Sequence, residues 1–364
     1  MRHFTSVSGM NSEEEWKNKM GKIYDETGWL NWDYLYPECK FIMAITGPRA
    51  VGKTYGILKY IAQHNIPFIY MRRLKAQLDQ CASGDENNPF RAYCMDTGDN
   101  IRLQKTQGSV QFYRPRPVDP EDPDAGEEKV IIGQGVALST VATIRGSDFS
   151  GTEAIVFDEY IPMKNERPIK DEANAFYNFI ETVNRNRELL GRPPVKVFML
   201  GNANKLMNPY YLKWGFMKTA LKMIHGNQMV WRNADSSRIM IMLLHSPISE
   251  RKRETALYKE AAGGFTEMAL DNAFETDATT IAARKLKDCR HIVSIGSIGI
   301  YQLKSTGKHY VSETVNRTNF YEENEINIVL FRSRFAGLKN IYIYGFMEFE
   351  NYDCELLFRE YIGL

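Results

Sequence analysis

Residues 41–54, Phe-Ile-Met-Ala-Ile-Thr-Gly-Pro-Arg-Ala-Val-Gly-Lys-Thr, constrain the fold more than any other part of the chain. An apolar run stops at Gly47, and Gly52-Lys53-Thr54 opens a segment with helical character. The pattern is G-x-x-x-x-G-K-[ST] between a predicted strand and a predicted helix, which is the context that a phosphate-binding loop requires. Glycine lets backbone N–H groups approach phosphate oxygens, and the helix N-terminus adds unpaired donors. The sequence therefore predicts a nucleotide-binding α/β fold.

The last two residues of this pattern have distinct expected roles. Lys53 would reach the β- and γ-phosphates, and the Thr54 hydroxyl would bind Mg²⁺. The alternative is a glycine-rich turn that binds nothing. Average residue frequencies give the pattern a chance of about one in a hundred in a chain of this length. Nucleotide binding is therefore the favoured interpretation.

A second signal is Ala-Ile-Val-Phe-Asp-Glu at residues 154–159, a buried-type strand that ends in two carboxylates. Asp158 is placed to hold Mg²⁺ through water, and Glu159 is placed to orient and deprotonate an attacking water. This acidic pair favours a hydrolase over a small-molecule kinase. The next apolar strand ends at Leu200 and is followed by Asn202. Its amide would contact the γ-phosphate or the attacking water, and the alternative is a simple Asx turn.

The net charge of only +1 gives no global basic field, so any contact with DNA would be local, on a patch or inside the lumen of an assembly. The five cysteines are widely spaced without a C-x-x-C pair, which suits free thiols in a reducing cytosol. The N-terminus has no signal-peptide pattern, and the longest apolar stretches are too short to cross a bilayer. We expect a soluble intracellular protein without a membrane partner.

Several other segments leave alternatives open. Trp29 and Trp32 precede the first strand, and core packing is favoured over contact with adenine. Arg72 and Arg73 end the second predicted strand, where they would contact phosphate or DNA or lie in solvent at the strand exit. Residues 84–128 read as a basic hairpin followed by an acidic loop, and segments 326–331 and 341–347 read as strands.

The motifs together resemble a known family. Residues 47–54, 70–73, 144–146, 156–159 and 200–203 occur in the order seen in viral DNA-packaging ATPases. The chain resembles an encapsidation ATPase of the small protein-primed tailed phages, a compact relative of the large terminase subunit. The resemblance is specific over about 40–205 and looser over 205–285. It implies a P-loop NTPase of the additional-strand, catalytic-glutamate type with a mostly parallel sheet, followed by a linker and a small α/β RNase H-like domain.

The resemblance also implies domain boundaries and site residues. We expect an ATPase domain at 1–205, a linker or lid at 206–284 and a nuclease-like domain at 285–364. Arg145 would be an arginine finger given in trans, with Arg102 or Lys105 as the alternative finger. The expected site is then catalytic Glu159, Arg145 and Asn202; nucleotide-binding Gly47, Arg49, Val51, Gly52, Lys53, Thr54 and Asp158; and Thr54 and Asp158 as Mg²⁺ ligands.

For function, the resemblance implies an ATP-hydrolysing motor that moves double-stranded DNA into a procapsid. Such motors form a homomeric ring, commonly a pentamer, which docks on the portal in the host cytoplasm and is absent from the mature virion. Participation of a structural RNA stays open. The alternatives are a P-loop module that regulates or scaffolds a partner, and a DNA helicase.

The C-terminal part departs from the terminase pattern. Residues 292–300, Ile-Val-Ser-Ile-Gly-Ser-Ile-Gly-Ile, resemble the first strand of the terminase nuclease but contain no aspartate. Cleavage by two metal ions needs clustered carboxylates. We therefore expect an inactive nuclease domain retained for binding, with Glu313 and Asp353 as residues that could still line a site.

Overall fold

The computed structural model describes residues 22–106, 108–119, 121–122, 126–144, 148–163, 166, 169–202, 206, 208–260 and 281–363. Contacts divide the chain into two compact units, Met1–Phe274 and Glu275–Leu364. Among the described residues, no helix is long and apolar enough to cross a membrane.

The first unit is built on one sheet. Its described strands are β1 (Ile42–Gly47), β2 (Phe68–Arg72), β3 (Arg102–Thr106), β4 (Ser109–Pro117), β5 (Glu127–Ala137), β6 (Ala154–Asp158), β7 (Lys196–Asn202), β8 (Val230–Arg232) and β9 (Arg238–Met242). Its described α-helices are α1 (Trp32–Glu38), α2 (Lys53–Gln63), α3 (Lys75–Cys81), α4 (Arg91–Thr97), α5 (Glu172–Asn184), α6 (Pro209–Lys213), α7 (Met217–His225), α8 (Pro247–Arg253) and α9 (Ala256–Glu260).

The strand order is β3-β4-β5-β2-β6-β7-β1-β9-β8. The pairs from β5 to β9 are parallel, and the β3, β4 and β8 edges are antiparallel. All residues of β1 and β6 are buried, as expected for parallel strands with both faces covered. On α5, apolar residues at helical spacing, Phe176, Phe179, Ile180 and Val183, supply a buried face. The predicted α/β class with a mostly parallel central sheet is confirmed.

One part of the predicted linker belongs instead to this sheet. Strand β9 pairs in parallel with β1, from Ile42 opposite Arg238 to Thr46 opposite Met242, and β8 adds an edge strand. The run Ile-Met-Ile-Met at 239–242 is fully buried, because a strand next to the centre of a parallel sheet is covered on both faces. The interpretation of 206–284 as a linker is therefore wrong for residues 230–242.

The second unit is a separate mixed sheet with helices. Its described elements are β10 (Cys289–Ile295), β11 (Ile298–Leu303), β12 (His309–Ser312), β13 (Phe320–Tyr321), α10 (Glu325–Arg334), α11 (Gly337–Ile343), β14 (Met347–Phe349) and α12 (Tyr352–Ile362). The order is β13-β10-β11-β12-β14, with β10, β11 and β12 antiparallel.

Two predicted strands of the second unit are wrong. Residues 326–331 lie in α10, because the Asn324 side chain caps a helix by accepting a hydrogen bond from the Asn327 amide. Most of 341–347 belongs to α11 and the turn after it, and the strand begins only at Met347. Short apolar runs do not distinguish strand from helix, so the cap decides here.

Candidate nucleotide site

The loop between β1 and α2 has the backbone that a phosphate cradle needs. Gly52 has φ of 83°, in the left-handed region that favours glycine, and it directly precedes Lys53 at the start of α2. Ala50 also has a positive φ of 56°. The Val51 side chain is fully buried and anchors the loop, while Arg49 lies exposed at its outer turn. The buried Val51 side chain thus fixes the inner side of the loop, while the outer turn at Arg49 is exposed.

Lys53 is buried beneath this loop and is surrounded by oxygen acceptors. Its Nζ donates to the carbonyl oxygens of Gly47 at 3.0 Å and Pro48 at 2.6 Å, and to Asn202 Oδ1 at 3.2 Å. Burial lowers the pKa of Lys53 to about 7, although the nearby carboxylates Asp158 and Glu159 act in the opposite direction. A bound anion would favour the charged amine, so the position suits a phosphate.

Asp158, at the end of β6, meets the first turn of α2. Its Oδ1 accepts from the Thr54 hydroxyl at 2.8 Å, and its Oδ2 accepts from the Tyr70 hydroxyl at 2.8 Å. Burial, together with Asp158, holds the pKa of Tyr70 well above its usual range, so this phenol stays a donor. A carboxylate beside a hydroxyl is the hard oxygen set that Mg²⁺ prefers. The residues present therefore fit this ion.

Arg72 connects the two acidic residues. Its Nη1 lies 3.2 Å from Asp158 Oδ2, and its Nη2 lies 2.5 Å from Glu159 Oε2. Glu159 has a positive φ of 53°, and its side chain is 38% exposed, whereas that of Asp158 is 10% exposed. The alternatives drawn from sequence for Arg72, phosphate, DNA or solvent, missed this contact. No local pattern signals it, because the partners are 86 and 87 residues away.

Arg73, unlike Arg72, does not contact Asp158 or Glu159 and instead lies in the protein interior. It is fully buried, and its guanidinium makes two contacts of 2.7 Å with Glu172 on α5 and a further one with Glu166. Tyr210 on α6 donates to Glu172 at 3.0 Å. Successive residues at a strand end face opposite sides of the sheet, which explains the different partners of Arg72 and Arg73.

The structure places the other candidates as follows. Asn202 ends β7 in register with Gly47, which brings its amide to Lys53. Arg145 lies outside the described residues. Arg102 and Lys105 lie on β3 at the far edge of the sheet, and the partly exposed Arg102 side chain contacts Asn100 and Glu127. Gly47, Lys53, Thr54, Asp158, Glu159 and Asn202 are thus brought to one edge of the sheet.

The second unit has acidic residues in different surroundings. Glu348, on β14, is 4% exposed and accepts from Arg284 at 2.8 Å and Lys308 at 3.3 Å. The Glu313 carboxylate accepts from the Asn351 amide at 2.9 Å. Within the described ranges, no group of three or more His, Cys, Asp or Glu side chains is arranged to hold a metal ion.

Comparison with known proteins places this site in context. The model of a family described as podovirus DNA encapsidation protein (Gp16) matches residues 127–357. The DNA packaging protein of Bacillus phage phi29 is 24% identical over 328 residues, which cover 84% of this chain and 89% of that protein. The DNA packaging protein of Bacillus phage PZA matches to the same extent.

Two solved structures share the fold over nearly the whole chain. The Phi-28 gp11 DNA packaging motor is similar with a TM-score of 0.59 and 17% identity, covering 93% of this chain and 99% of that one. The bacteriophage Phi-29 viral genome packaging motor assembly is similar with a TM-score of 0.55 and 20% identity, covering 92% and 99%.

Proposed function

The chain belongs to the podovirus DNA encapsidation protein family, so its function is the packaging of phage DNA, and on that premise we propose that it hydrolyses ATP to drive double-stranded DNA into a procapsid. One observation carries the proposal. The Lys53 amine, the Thr54 hydroxyl and the carboxylates of Asp158 and Glu159 converge where β1 and β6 end. This is the set of groups that phosphoryl transfer to water requires.

Each residue of this set would have a separate role in ATP hydrolysis. Lys53 would exchange its carbonyl contacts for β- and γ-phosphate oxygens, while the loop N–H groups hold the rest of the triphosphate. Thr54 and Asp158 would hold Mg²⁺, which supplies charge neutralisation at the phosphates. Glu159 would take the proton of the attacking water, as in the catalytic-glutamate class. Because Arg72 contacts Glu159, this contact must loosen before Glu159 can act.

Asn202 and Arg49 would respond to the nucleotide. The Lys53 amine donates a hydrogen bond to Asn202. A γ-phosphate that accepts hydrogen bonds from this amine would therefore change the environment of the Asn202 side chain. Arg49 is exposed on the outer turn, where it can follow the nucleotide state. We assign Asn202 to coupling between phosphate release and movement.

An arginine finger would come from a neighbouring copy in a homomeric ring, which we propose to be a pentamer. Arg145 is the first candidate, and Arg102 or Lys105 on β3 is the second. Six strand spacings of about 4.8 Å separate β3 from β1, or about 29 Å. A side chain on β3 therefore cannot reach the phosphate loop of its own sheet, and a role for Arg102 or Lys105 requires a partner copy.

The ring would encircle double-stranded DNA at the procapsid portal in the host cytoplasm and be absent from the mature virion, with or without a structural RNA. We propose that the second unit is an RNase H-like domain without nuclease activity. Its first described strand, β10, has the sequence Cys-Arg-His-Ile-Val-Ser-Ile, which lacks a carboxylate, and residues 292–300, compared above with a single terminase strand, are divided between β10 and β11. The Glu348 carboxylate is paired with two cations, Arg284 and Lys308. Two-metal cleavage needs free, clustered carboxylates.

The motor is tested by comparing ATP turnover in Glu159→Gln with that in Glu153→Gln. Glu153 is an exposed carboxylate just before the same strand. Loss of the general base should lower ATP turnover by about 10²–10⁴-fold and leave ATP binding intact, while the Glu153 variant behaves as the wild type. Wild-type turnover in Glu159→Gln would remove this residue from catalysis. Stimulation of turnover by duplex DNA supports the motor. Nucleotide-dependent protein binding without such stimulation supports a regulatory module, and separation of a forked duplex supports a helicase.

The trans finger is tested by mixing two inactive variants, Arg145→Ala and Lys53→Ala. If the finger acts in trans, the Lys53→Ala copy supplies its intact arginine to the intact pocket of the other copy, and activity returns in the mixture. If rings that contain both variants form but stay inactive at every mixing ratio, Arg145 does not act in trans. It then acts in its own subunit or has no role in hydrolysis.

A further inference from the structure

Three buried hydroxyl groups meet inside the first unit, at the end of β1. The Thr46 hydroxyl lies 2.8 Å from that of Tyr160 and 3.0 Å from that of Tyr211, and the two phenol oxygens are 3.4 Å apart. All three side chains are fully buried. Burial raises the pKa of Tyr160 and that of Tyr211, so both phenols stay protonated and keep a hydrogen to donate. We call these three residues the hydroxyl cluster.

The hydroxyl cluster joins two strand ends that are not neighbours in the sheet. Thr46 lies in β1, directly before the first glycine of the phosphate loop. Tyr160 follows β6, directly after Glu159. Strand β7 lies between β6 and β1, so the side chains of Tyr160 and Thr46 together bridge two strand spacings, or about 10 Å. The separation between the phosphate loop and Glu159 is therefore set by a direct link.

The path of the Tyr160 ring across β7 depends on Gly201. This glycine pairs with Thr46 in the sheet, and a Cβ on it would lie 2.8 Å from Tyr160 Cε1. That distance is too short for a side-chain carbon, so glycine leaves the space that the ring occupies. The Tyr160 amide also donates to the Leu200 carbonyl at 3.2 Å. Both the ring and the backbone of Tyr160 are thus held against β7.

Glu159 depends on this anchor for its position. Its φ of 53° lies in the left-handed region, which a residue other than glycine keeps only where its surroundings enforce it. Its side chain is 38% exposed, and its contact with Arg72 must loosen before it can act on water. Once that contact loosens, the place of the carboxylate follows from the backbone at Glu159, which the buried Tyr160 fixes from the next position.

We infer that Tyr160 is a positioning residue for the general base: its hydroxyl, through the hydroxyl cluster, fixes the distance between Glu159 and the phosphate loop. The inference rests on the proposed ATPase and adds a residue to its site. Proton transfer requires the carboxylate to lie within hydrogen-bonding distance of the attacking water, whose own place is set by the bound phosphate. A displacement of about 1 Å at such a site costs about 10²-fold in rate.

The experiment removes one hydroxyl at a time and measures ATP turnover. Tyr160→Phe keeps the ring and should lower kcat about tenfold, less than the loss for a full ångström because the backbone hydrogen bond to Leu200 remains. KM should not change, because the groups that bind the phosphates are intact. Thr46→Val should give the same loss. Thr46→Ser, which keeps the hydroxyl, should behave as the wild type.

A second background separates positioning from a general effect on folding. In Glu159→Gln the general base is already lost, so adding Tyr160→Phe should change the remaining turnover by no more than about twofold. The matched control is Tyr93→Phe in the same unit. Tyr93 is 5% exposed, lies on α4 and is hydrogen-bonded to Asp99, so this variant also loses a buried hydroxyl but should keep the wild-type kcat.

Three results would overturn the inference. The first is wild-type kcat in Tyr160→Phe, or a higher KM without a lower kcat. The second is a tenfold loss that recurs in the Glu159→Gln background, since Tyr160 would then support the fold and not the general base. The third is an equal loss in Tyr93→Phe. If the wild type hydrolyses no ATP, the proposed ATPase itself fails, so the two failures are distinguished.

Discussion

Replacing Glu172 by glutamine removes the negative charge that faces Arg73 in the interior of the first unit. The Arg73 side chain is 0% exposed, and that of Glu172 is 2% exposed. The Nε–Oε1 and Nη2–Oε2 distances are both 2.7 Å, so the guanidinium and the carboxylate meet as two parallel charge-assisted hydrogen bonds. A neutral amide retains one acceptor and turns an NH₂ group toward the guanidinium. The arginine charge then stays buried without its main partner.

The size of the destabilisation expected for Glu172→Gln follows from the burial of the Arg73 charge. Removing one member of a buried ion pair costs about 3–5 kcal/mol, because the remaining charge has lost water and partner alike. Glu166, whose side chain is 16% exposed, still contacts Nη1 and compensates in part. We therefore expect Glu172→Gln to lower the free energy of unfolding by about 3 kcal/mol, at the low end of that range. For a unit of 274 residues the corresponding fall in Tm is about 5 °C.

Urea unfolding followed by tryptophan fluorescence measures this change. The five tryptophans, at 16, 29, 32, 214 and 231, all precede residue 275, so the signal reports the first unit alone. Glu181→Gln, an exposed carboxylate on the same helix, is the control and should stay within about 0.5 kcal/mol of the wild type. The slope with urea should not change, because the same surface is exposed on unfolding.

The double variant Arg73→Met, Glu172→Leu separates charge from packing. Removing both charges leaves neither member of the Arg73–Glu172 pair without its partner, and Glu166 keeps the Gln77 amide as a donor. The double variant should therefore be at least about 2 kcal/mol more stable than the sum of the single changes predicts. The reasoning is refuted if Glu172→Gln unfolds with the control, or if the single changes simply add.

Two further changes test separate features. Gly47→Ala should destabilise the first unit by about 1–3 kcal/mol in the same urea assay, because a Cβ there would lie 2.6 Å from the Leu243 Cβ; wild-type stability would mean that Leu243 moves freely. Burial would raise the pKa of Glu348, but Arg284 and Lys308 outweigh burial and hold this pKa below its ordinary value. The ionised Glu348 carboxylate therefore stabilises the second unit above about pH 4.5, and this stabilisation is lost as the pH falls. Amide hydrogen exchange of β12 and β14 should then be faster in Glu348→Gln than in the wild type at pH 7, and the two should converge in acid; an equal difference at all pH values would contradict this ion-pair account.

Local signals predicted the centre of the site. The phosphate loop is contiguous in sequence, and both Asp158 and Asn202 follow apolar runs at strand ends. In a parallel sheet the carboxyl ends of strands lie at one edge, so the sequence alone predicts that these three separate segments lie together. The family resemblance drawn from these motifs is confirmed by the family match, while the roles of the individual residues stay predictions.

Contacts between distant segments could not be predicted in the same way. Arg72 and Arg73 find their partners 86 to 99 residues further along, and which side chain faces the acids depends on where β2 ends. Strand β9 falls within the predicted linker at 206–284, because its apolar run carries no sign of the β1 neighbour with which it pairs. Helix α10 follows the cap residue Asn324, and its apolar run alone suits either type of element.

At the ends of β2 and β6, residues that face the nucleotide position are followed by residues that are anchored in the interior. Arg72 and Asp158 face the site, while Arg73, directly after Arg72, and Tyr160, two residues after Asp158, are fully buried and hydrogen-bonded. The Tyr160 hydroxyl lies in hydrogen-bonding distance of the Tyr211 hydroxyl, at the start of α6, so the segment after β7 is tied to the same anchors. Buried polar groups of this kind add little net stability, yet they fix geometry, because any displacement leaves a donor or a charge unpaired. Substitutions at the anchors should therefore disturb the positions of the groups that face the nucleotide even where the protein still folds.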